Sequence, residues 1–257
     1  MLRAGREGRL LPQPARGRLS PAGQLRLPVT LTRRAAAEAV GTGFLVAAVI
    51  GSGIAASRLS PDDVGLQLLE NSLATGVVLA ALIVALQPIS AAFNPVITLL
   101  ERTLGAISTR ETIVLITAQL AGGAAGAIVA NLMFGLPAVT LSGRTRAGPG
   151  MWLAEVVATL GLVLIIFAAL RGGRSHQVGY LVGGYIAGAY WFTSSTSFAN
   201  PAVTVARTLS DTFAGIAPAS APAFLIMQLA GGALGLLLIT ALYPRPAGKT
   251  TNPIEET

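Results

Sequence analysis

Two asparagine–proline pairs are the most chemically suggestive feature of this sequence. Asn94-Pro95-Val96 and Asn200-Pro201-Ala202 each interrupt a long run of uncharged residues. Asparagine is a good helix N-cap and proline suits the first helical position, so each pair predicts the start of a short helix. Inside an apolar region, such broken backbone is tolerated only where it lines a wet cavity or is buried in protein.

Residues suited to other chemistry are scarce. The chain of 257 residues has no cysteine and a single histidine, His176. Thiol catalysis and disulfide scaffolds are therefore excluded, and neither a histidine-built metal site nor a serine–histidine triad is expected. Glu38 and Glu155 lie in apolar segments, where a carboxylate is costly, so they predict either a proton relay or acceptors for loop amides. We expect no enzyme activity and no cofactor.

The composition indicates an integral membrane protein. Hydrophobic residues make up 53% and charged residues 11%, against about 25% charged residues in an average soluble domain. Long charge-free runs predict six spans of about 20 residues, the length that crosses a bilayer. The predicted spans are residues 35–57, 66–86, 111–134, 151–171, 178–196 and 222–243.

The net charge of +7 belongs to one end of the chain. Residues 1–34 contain eight arginines and one glutamate, which is the whole net charge. This segment predicts a disordered basic tail or an attraction to anionic lipid headgroups, and not a body that binds nucleic acid. We divide the rest into residues 35–134, an extracellular loop at 135–150, residues 151–243 and a C-terminal tail at 244–257.

The two large segments are repeats of one another. Each contains three spans and one half-helix, at 94–102 and at 200–209. An odd number of spans inserts the halves with opposite topology, so the amino ends of the half-helices meet near the midplane. Three short motifs recur in the same order, with residues 37–40, 94–98 and 119–124 returning at 154–157, 200–204 and 228–233.

This pattern resembles the major intrinsic protein family, the aquaporins and glycerol facilitators. The resemblance covers residues 35–243 and rests on the two inverted Asn-Pro motifs, the two glutamates and the repeated Gln-x-x-Gly. It implies an all-α membrane protein with six transmembrane helices and two re-entrant half-helices in an inverted 3+3 repeat. It also implies a homotetramer with one pore for small neutral solutes in each subunit, in which Glu38 and Glu155 support the loops.

The expected selectivity filter departs from the usual family pattern. Val203 stands where the family usually has an arginine after the second motif, and counting from Asn200 gives Ser197 and Gly188 as further filter positions. The second span supplies Thr75, or Ala74 if the segment before Asn94 has no gap. A filter of such small residues predicts a wide pore that passes solutes of glycerol size, and the stretch 190–198 resembles members associated with arsenic resistance, which implies arsenous acid and methylated arsenicals as substrates.

Arg207 is the one cation close to this filter in the sequence. It follows Val203 by four residues, on the same helical face, and could reach the outer vestibule. Alternatively it pairs with Asp211 or with the last carbonyls of its helix.

The arginines and lysines indicate an orientation in the plasma membrane. With both termini in the cytoplasm, eight basic residues of the tail and six others lie inside, against four outside, as the positive-inside rule requires. A strict water channel and an inverted-repeat secondary transporter remain the alternative functions.

Overall fold

A computed structural model describes residues 29–243, so most of the predicted basic tail and the C-terminal tail lie outside the described residues. Regular structure in the described part is entirely helical, with a three-residue 3₁₀ turn at Ser175–Gln177. The α-helices are α1 Leu31–Leu59, α2 Val64–Leu86, α3 Pro95–Thr103, α4 Thr109–Met133, α5 Pro149–Arg171, α6 Val178–Phe192, α7 Pro201–Arg207 and α8 Ala221–Leu242.

The helices pack as two copies of one motif. α1 packs on α4 as α5 packs on α8, and α1 packs on α2 as α5 packs on α6. The half-helix α3 contacts α4 and α8, and its counterpart α7 contacts α8 and α4. α2 and α6 pack directly against each other. These pairings are those of the inverted repeat that the sequence motifs predict.

Five helices within the described residues are long and apolar enough to cross a membrane, namely α1, α2, α4, α5 and α8. α6 has 15 residues, or about 22 Å at 1.5 Å per residue, which is less than the roughly 30 Å of a hydrocarbon core. Its predicted end at residue 196 is wrong: the helix ends at Phe192, Thr193 has extended backbone, and Thr196 has a positive φ angle, which a right-handed helix does not accommodate. A non-helical segment therefore follows α6, which corresponds to the fifth of the six predicted spans, and leads to Asn200.

α1 begins earlier than its sequence predicts. The predicted tail reaches residue 34, but the helix starts at Leu31. Arg34 donates to the Glu111 carboxylate over 2.8 Å, and Glu111 completes a capping box with Ser108 at the start of α4. The last arginine of the basic segment is thus part of the helical bundle.

Glycines set the closest helix contacts in both repeats. A Cβ on Gly122 or Gly126 of α4 would collide with the α1 backbone at Ala39 or Gly43. In the second repeat, a Cβ on Gly231 of α8 would collide with the α5 backbone at Val156, and one on Gly235 with the Val163 side chain. Small residues at such spacing let helices approach in a bilayer.

A third glycine pair, Gly184 and Gly188, has the same spacing but no neighbour within 4 Å of an added Cβ. Both residues are exposed on the described structure, so this pair does not pack within the chain.

Candidate functional site

The two asparagines cap the half-helices, as their sequence context predicts. Asn94 has extended backbone, and its side-chain oxygen accepts a hydrogen bond from the Val96 amide at 2.9 Å. The Asn200 oxygen accepts from the amides of Ala202 at 2.9 Å and Val203 at 3.3 Å. Each cap leaves the amide nitrogen of the asparagine as a donor.

Those amide nitrogens join the two repeats. Asn94 Nδ2 donates to the carbonyl of Ala199 at 2.8 Å, and Asn200 Nδ2 donates to the carbonyl of Phe93 at 2.7 Å. The acceptors are the residues directly before the opposite asparagines. The amino termini of α3 and α7 are therefore fixed face to face, with their positive dipole ends together. Each asparagine keeps one N–H with no partner among the described residues.

The residues before the asparagines have unusual backbone. Phe93 has φ of 47° and Ala199 has φ of 48°. A side-chain-bearing residue in this left-handed region costs of order 1–3 kcal/mol and persists only where surrounding contacts impose it. Here successive loop amides converge on a buried carboxylate, an arrangement that binds anions well.

Glu38 supplies that carboxylate in the first repeat. It accepts hydrogen bonds from the amides of Ala92 at 2.9 Å and Phe93 at 2.7 Å, and from the Ser90 hydroxyl at 2.6 Å. Gln119 of α4 donates to it at 2.8 Å. Glu38 is fully buried, and with four donors around it the carboxylate acts as an anchor for the loop.

Glu155 makes the corresponding contacts in the second repeat. It accepts from the amides of Phe198 at 3.0 Å and Ala199 at 2.9 Å, and from Gln228 at 2.6 Å. Gln228 also donates to Thr204 at 2.8 Å. Thr204 in turn donates to the carbonyl of Asn200 at 2.8 Å.

The glutamine and threonine of this chain of hydrogen bonds have counterparts in the first repeat, Gln119 and Thr98. A role in the site was not predicted from the sequence for any of these four residues. The signal was present, since both types recur at matched places in the repeated motifs.

A cavity of about 300 Å³ runs past both asparagines. Side chains of α1, α2, α5 and α6 form its walls, and they are mostly aliphatic. The half-helices line it with three matched pairs of positions, which are Asn94 and Asn200, Ile97 and Val203, and Glu101 and Arg207. The arrangement is an apolar passage with hydrogen-bonding groups at its centre.

Comparison with known proteins agrees with this architecture. The sequence profile described as "Major intrinsic protein" matches residues 27–192. An aquaglyceroporin, AqpS of Rhizobium meliloti (strain 1021), is 48% identical, and the match covers 87% of this chain and 96% of that protein. The chain belongs to the major intrinsic protein family.

Two further relatives extend the comparison. The aquaporin AqpM of Methanothermobacter marburgensis is 34% identical over 73% of this chain and 87% of its own length. The solved structure of an aquaglyceroporin from Plasmodium falciparum superposes with a TM-score of 0.64 at 16% identity, covering 82% of this chain and 96% of that one. The predicted all-α, aquaporin-like fold class is confirmed, and the chain is an integral membrane protein of a family of channels.

Not every residue of the two family motifs faces the cavity. Asn94 and Asn200 line it, whereas Pro95, Val96 and Ala202 are buried outside the lining and Pro201 is half-buried. Val96 packs toward Gly232 of α8. The prolines and their neighbours therefore position the half-helices, and the asparagines present polar groups to the passage.

The predicted filter residues fall in two places. Thr75, Ser197 and Val203 line the cavity, and Ala74, the alternative to Thr75, does not. Gly188 is not among the residues that line it. The face of α6 that lines the cavity consists of Val178, Val182, Ile186 and Tyr190. Gly188 is two residues from both Ile186 and Tyr190, so it lies on the opposite, exposed side of the helix.

Tyr190 lines the cavity from α6, the helix from which the sequence predicted Gly188. Its side chain is 3% exposed and its hydroxyl donates to Thr75 at 3.3 Å. Counting back from Asn200 misses it, because α6 ends at Phe192 and a non-helical segment follows. Two aromatic residues, Tyr190 and Phe198, line the cavity together with the predicted filter residues Thr75, Ser197 and Val203.

Arg207 lies on the cavity wall and forms no ion pair with Asp211, one of the two alternatives to a place in the vestibule. Asp211 instead accepts from the amide of Gly143 at 3.0 Å. Arg207 Nε donates to the carbonyl of Ala214, which belongs to the segment after α7 and not to the helix itself.

The anchoring of the second loop can be tested with Glu155→Gln. The amide keeps the shape of the carboxylate, but its NH₂ group must face a donor, so the variant loses charge-assisted hydrogen bonds worth about 1.5–3 kcal/mol each. We expect a lower thermal unfolding temperature in detergent and a proportional loss of water and glycerol flux in proteoliposomes. Glu70→Gln, outside the loop network, is the control. If Glu155→Gln instead keeps its glycerol flux but that flux no longer depends on a proton gradient, Glu155 is part of a proton relay.

The assignment of Tyr190 can be tested by thiol labelling, since the chain has no cysteine of its own. We expect a small methanethiosulfonate reagent to block most of the water flux of Tyr190→Cys, because the adduct would stand in the passage. Gly188→Cys, on the opposite face of α6, should keep its flux after the same treatment. Block of Gly188→Cys alone would restore the assignment made from the sequence.

Proposed function

We propose that this protein is a passive channel for small uncharged solutes, namely water and glycerol-like polyols. One observation supports this most directly: a single cavity passes both capped half-helices and has Val203 where the family usually has an arginine. A valine leaves more width and removes a fork of hydrogen-bond donors together with a positive charge.

The chemistry of the passage favours neutral molecules. The facing half-helix termini carry positive partial charge, which opposes cations. A solute with lone pairs gains hydrogen bonds from the free amide hydrogens of Asn94 and Asn200 as it passes aliphatic walls. Water molecules at the centre orient outward in opposite senses, which interrupts a proton wire.

The range of solutes is proposed from size and from relatives. AqpS is named an aquaglyceroporin, and we extend polyol conduction to this chain. Arsenous acid and methylated arsenicals are further candidates, since they are small, neutral and hydroxylated. Tyr190 narrows the proposed filter of Thr75, Ser197 and Val203 relative to the sequence-based expectation, so these solutes pass one at a time.

The setting of the channel is part of the proposal. We place it in the plasma membrane as a homotetramer with one pore per subunit, both termini in the cytoplasm and the 134–148 loop outside. The exposed apolar residues on α1 and α2, including Val40, Phe44, Leu73 and Val77, would contact lipid or neighbouring subunits.

A secondary transporter is the main rival from another class. It would need titratable groups free to exchange protons within the spans. Glu38 and Glu155 are each held by loop amides and a glutamine, which favours a structural role for both. The contacts therefore support the channel.

A solute panel on one proteoliposome preparation tests the function. We expect stopped-flow measurements to show flux of water, glycerol and arsenite through the unmodified protein, and a fall of about tenfold or more for the larger two in Val203→Arg. Tenfold corresponds to about 1.4 kcal/mol, a modest cost for a guanidinium in the passage. Val203→Leu separates bulk from charge.

Water flux without glycerol flux in the unmodified protein would indicate a strict water channel. Glycerol and arsenite flux that stays as high in Val203→Arg would show that Val203 is not at the constriction.

A further inference from the structure

The cavity has an arginine at one end in spite of Val203. We name the end of the bundle that carries residues 134–148 the loop face. The carboxyl end of α7 lies there, because Thr208 and Leu209 accept hydrogen bonds from the backbone of that loop. Arg207, the last residue of α7, is 2% exposed and lines the cavity.

Arg207 is held in a way that leaves most of its donors free. Its guanidinium carbon lies 3.4 Å from the centre of the Phe198 ring, a cation–π contact. Its Nε donates to the carbonyl of Ala214. The other four N–H groups have no hydrogen-bond partner within residues 29–243, and no carboxylate pairs with this side chain there. These donors are available to a molecule in the cavity.

A second unpartnered polar group lies on the same wall. Ser197 is 3% exposed, and its hydroxyl makes no hydrogen bond with the described residues. A buried hydroxyl without a partner is unfavourable, and a solute that forms a hydrogen bond with it removes that cost. A neutral molecule with two or more hydroxyl groups could engage the Ser197 oxygen and the Arg207 fork together.

Arg146 of the 134–148 loop fixes the surroundings of Arg207. Its guanidinium lies 5.0 Å from the centre of the same Phe198 ring. It donates to the carbonyls of Gly215 at 2.8 Å and Phe213 at 3.4 Å, on either side of the Ala214 carbonyl that Arg207 uses. It also donates to the carbonyl of Ser195 at 3.3 Å, in the segment that carries Ser197 and Phe198.

The charge of Arg146 persists at neutral pH. Burial, together with the nearby charges of Arg207 and Arg144, lowers the pKa of Arg146 to about 9. Two cations thus lie against one ring without a paired carboxylate in the described residues. Their common field opposes the entry of any cation at the loop face.

We propose that Arg207 is the specificity-determining residue of the pore at the loop face. Its guanidinium, with the Ser197 hydroxyl, binds neutral polyhydroxyl solutes, limits their length and repels cations. Arg146 is a positioning residue, which holds Phe198 and the 213–215 carbonyls so that Arg207 keeps its free donors toward the cavity. This inference rests on the proposed channel function and names the residues that select the solute.

The test compares polyols of increasing length in proteoliposomes of the full chain. Permeability to glycerol, erythritol and xylitol is measured relative to water by stopped flow, and sodium leak is measured separately. In Arg207→Ala we expect the erythritol-to-water ratio to rise about tenfold and sodium leak to appear. Arg207→Lys should raise the ratio but keep sodium out, because lysine retains the charge without the planar fork.

Arg146→Ala should move the same ratio in the same direction by a smaller factor, and Arg146→Lys should restore part of it. Neither change follows from a loss of folded protein, because each ratio is taken within one preparation. Arg58→Ala is the matched control. Arg58 also stacks on a phenylalanine ring, at 5.3 Å, and donates to a carbonyl at 2.8 Å on the loop face, but it is not a cavity residue.

The proposal would be overturned if Arg207→Ala kept the erythritol-to-water permeability ratio of the unmodified protein and showed no sodium leak. A parallel fall of water and polyol flux would also overturn it, since that is the effect of a structural residue. If the unmodified protein passes no glycerol, the proposed function fails instead, and the sodium leak of Arg207→Ala still decides the role of Arg207.

Discussion

The buried carboxylates of Glu38 and Glu155 are the interaction on which the rest of the pore depends. Each one accepts two consecutive loop amides and a glutamine. Those contacts offset the strain of Phe93 and Ala199 in the left-handed region. Their carbonyls can then accept from the opposite asparagines. Without the anchors, only the asparagine hydrogen bonds would oppose the repulsion of the two helix dipoles.

The inverted repeat makes the centre of the pore symmetric, whereas residues that differ between the two halves make its two ends different. The asparagine caps, the carboxylates and the glutamine–threonine contacts are duplicated almost contact for contact. At the last matched lining position the halves differ, with Glu101 on α3 and Arg207 on α7. Duplicated positions thus support the scaffold, whereas the unmatched ones can distinguish the two entrances and the solutes that use them.

Sequence reasoning predicts the scaffold well because its signals are local. Charge-free runs, Asn-Pro caps and the recurrence of the Gln119 motif at Gln228 require no knowledge of tertiary contacts. The filter is harder, because its members come from different elements. Gly188 was placed by counting along the chain, and that count crosses the end of α6 at Phe192 and the strained backbone after it. The contact between Arg146 and Phe198 could not be predicted from the sequence, because only the folded structure brings that loop residue to the ring.

Passive movement through a fixed passage can be checked by measuring glycerol efflux from proteoliposomes under an imposed proton gradient. Held carboxylates and a fixed pair of helix termini require no proton cycle. We expect the same glycerol flux before and after a proton ionophore collapses the gradient. A flux that disappears with the gradient would contradict it and make the protein a coupled transporter.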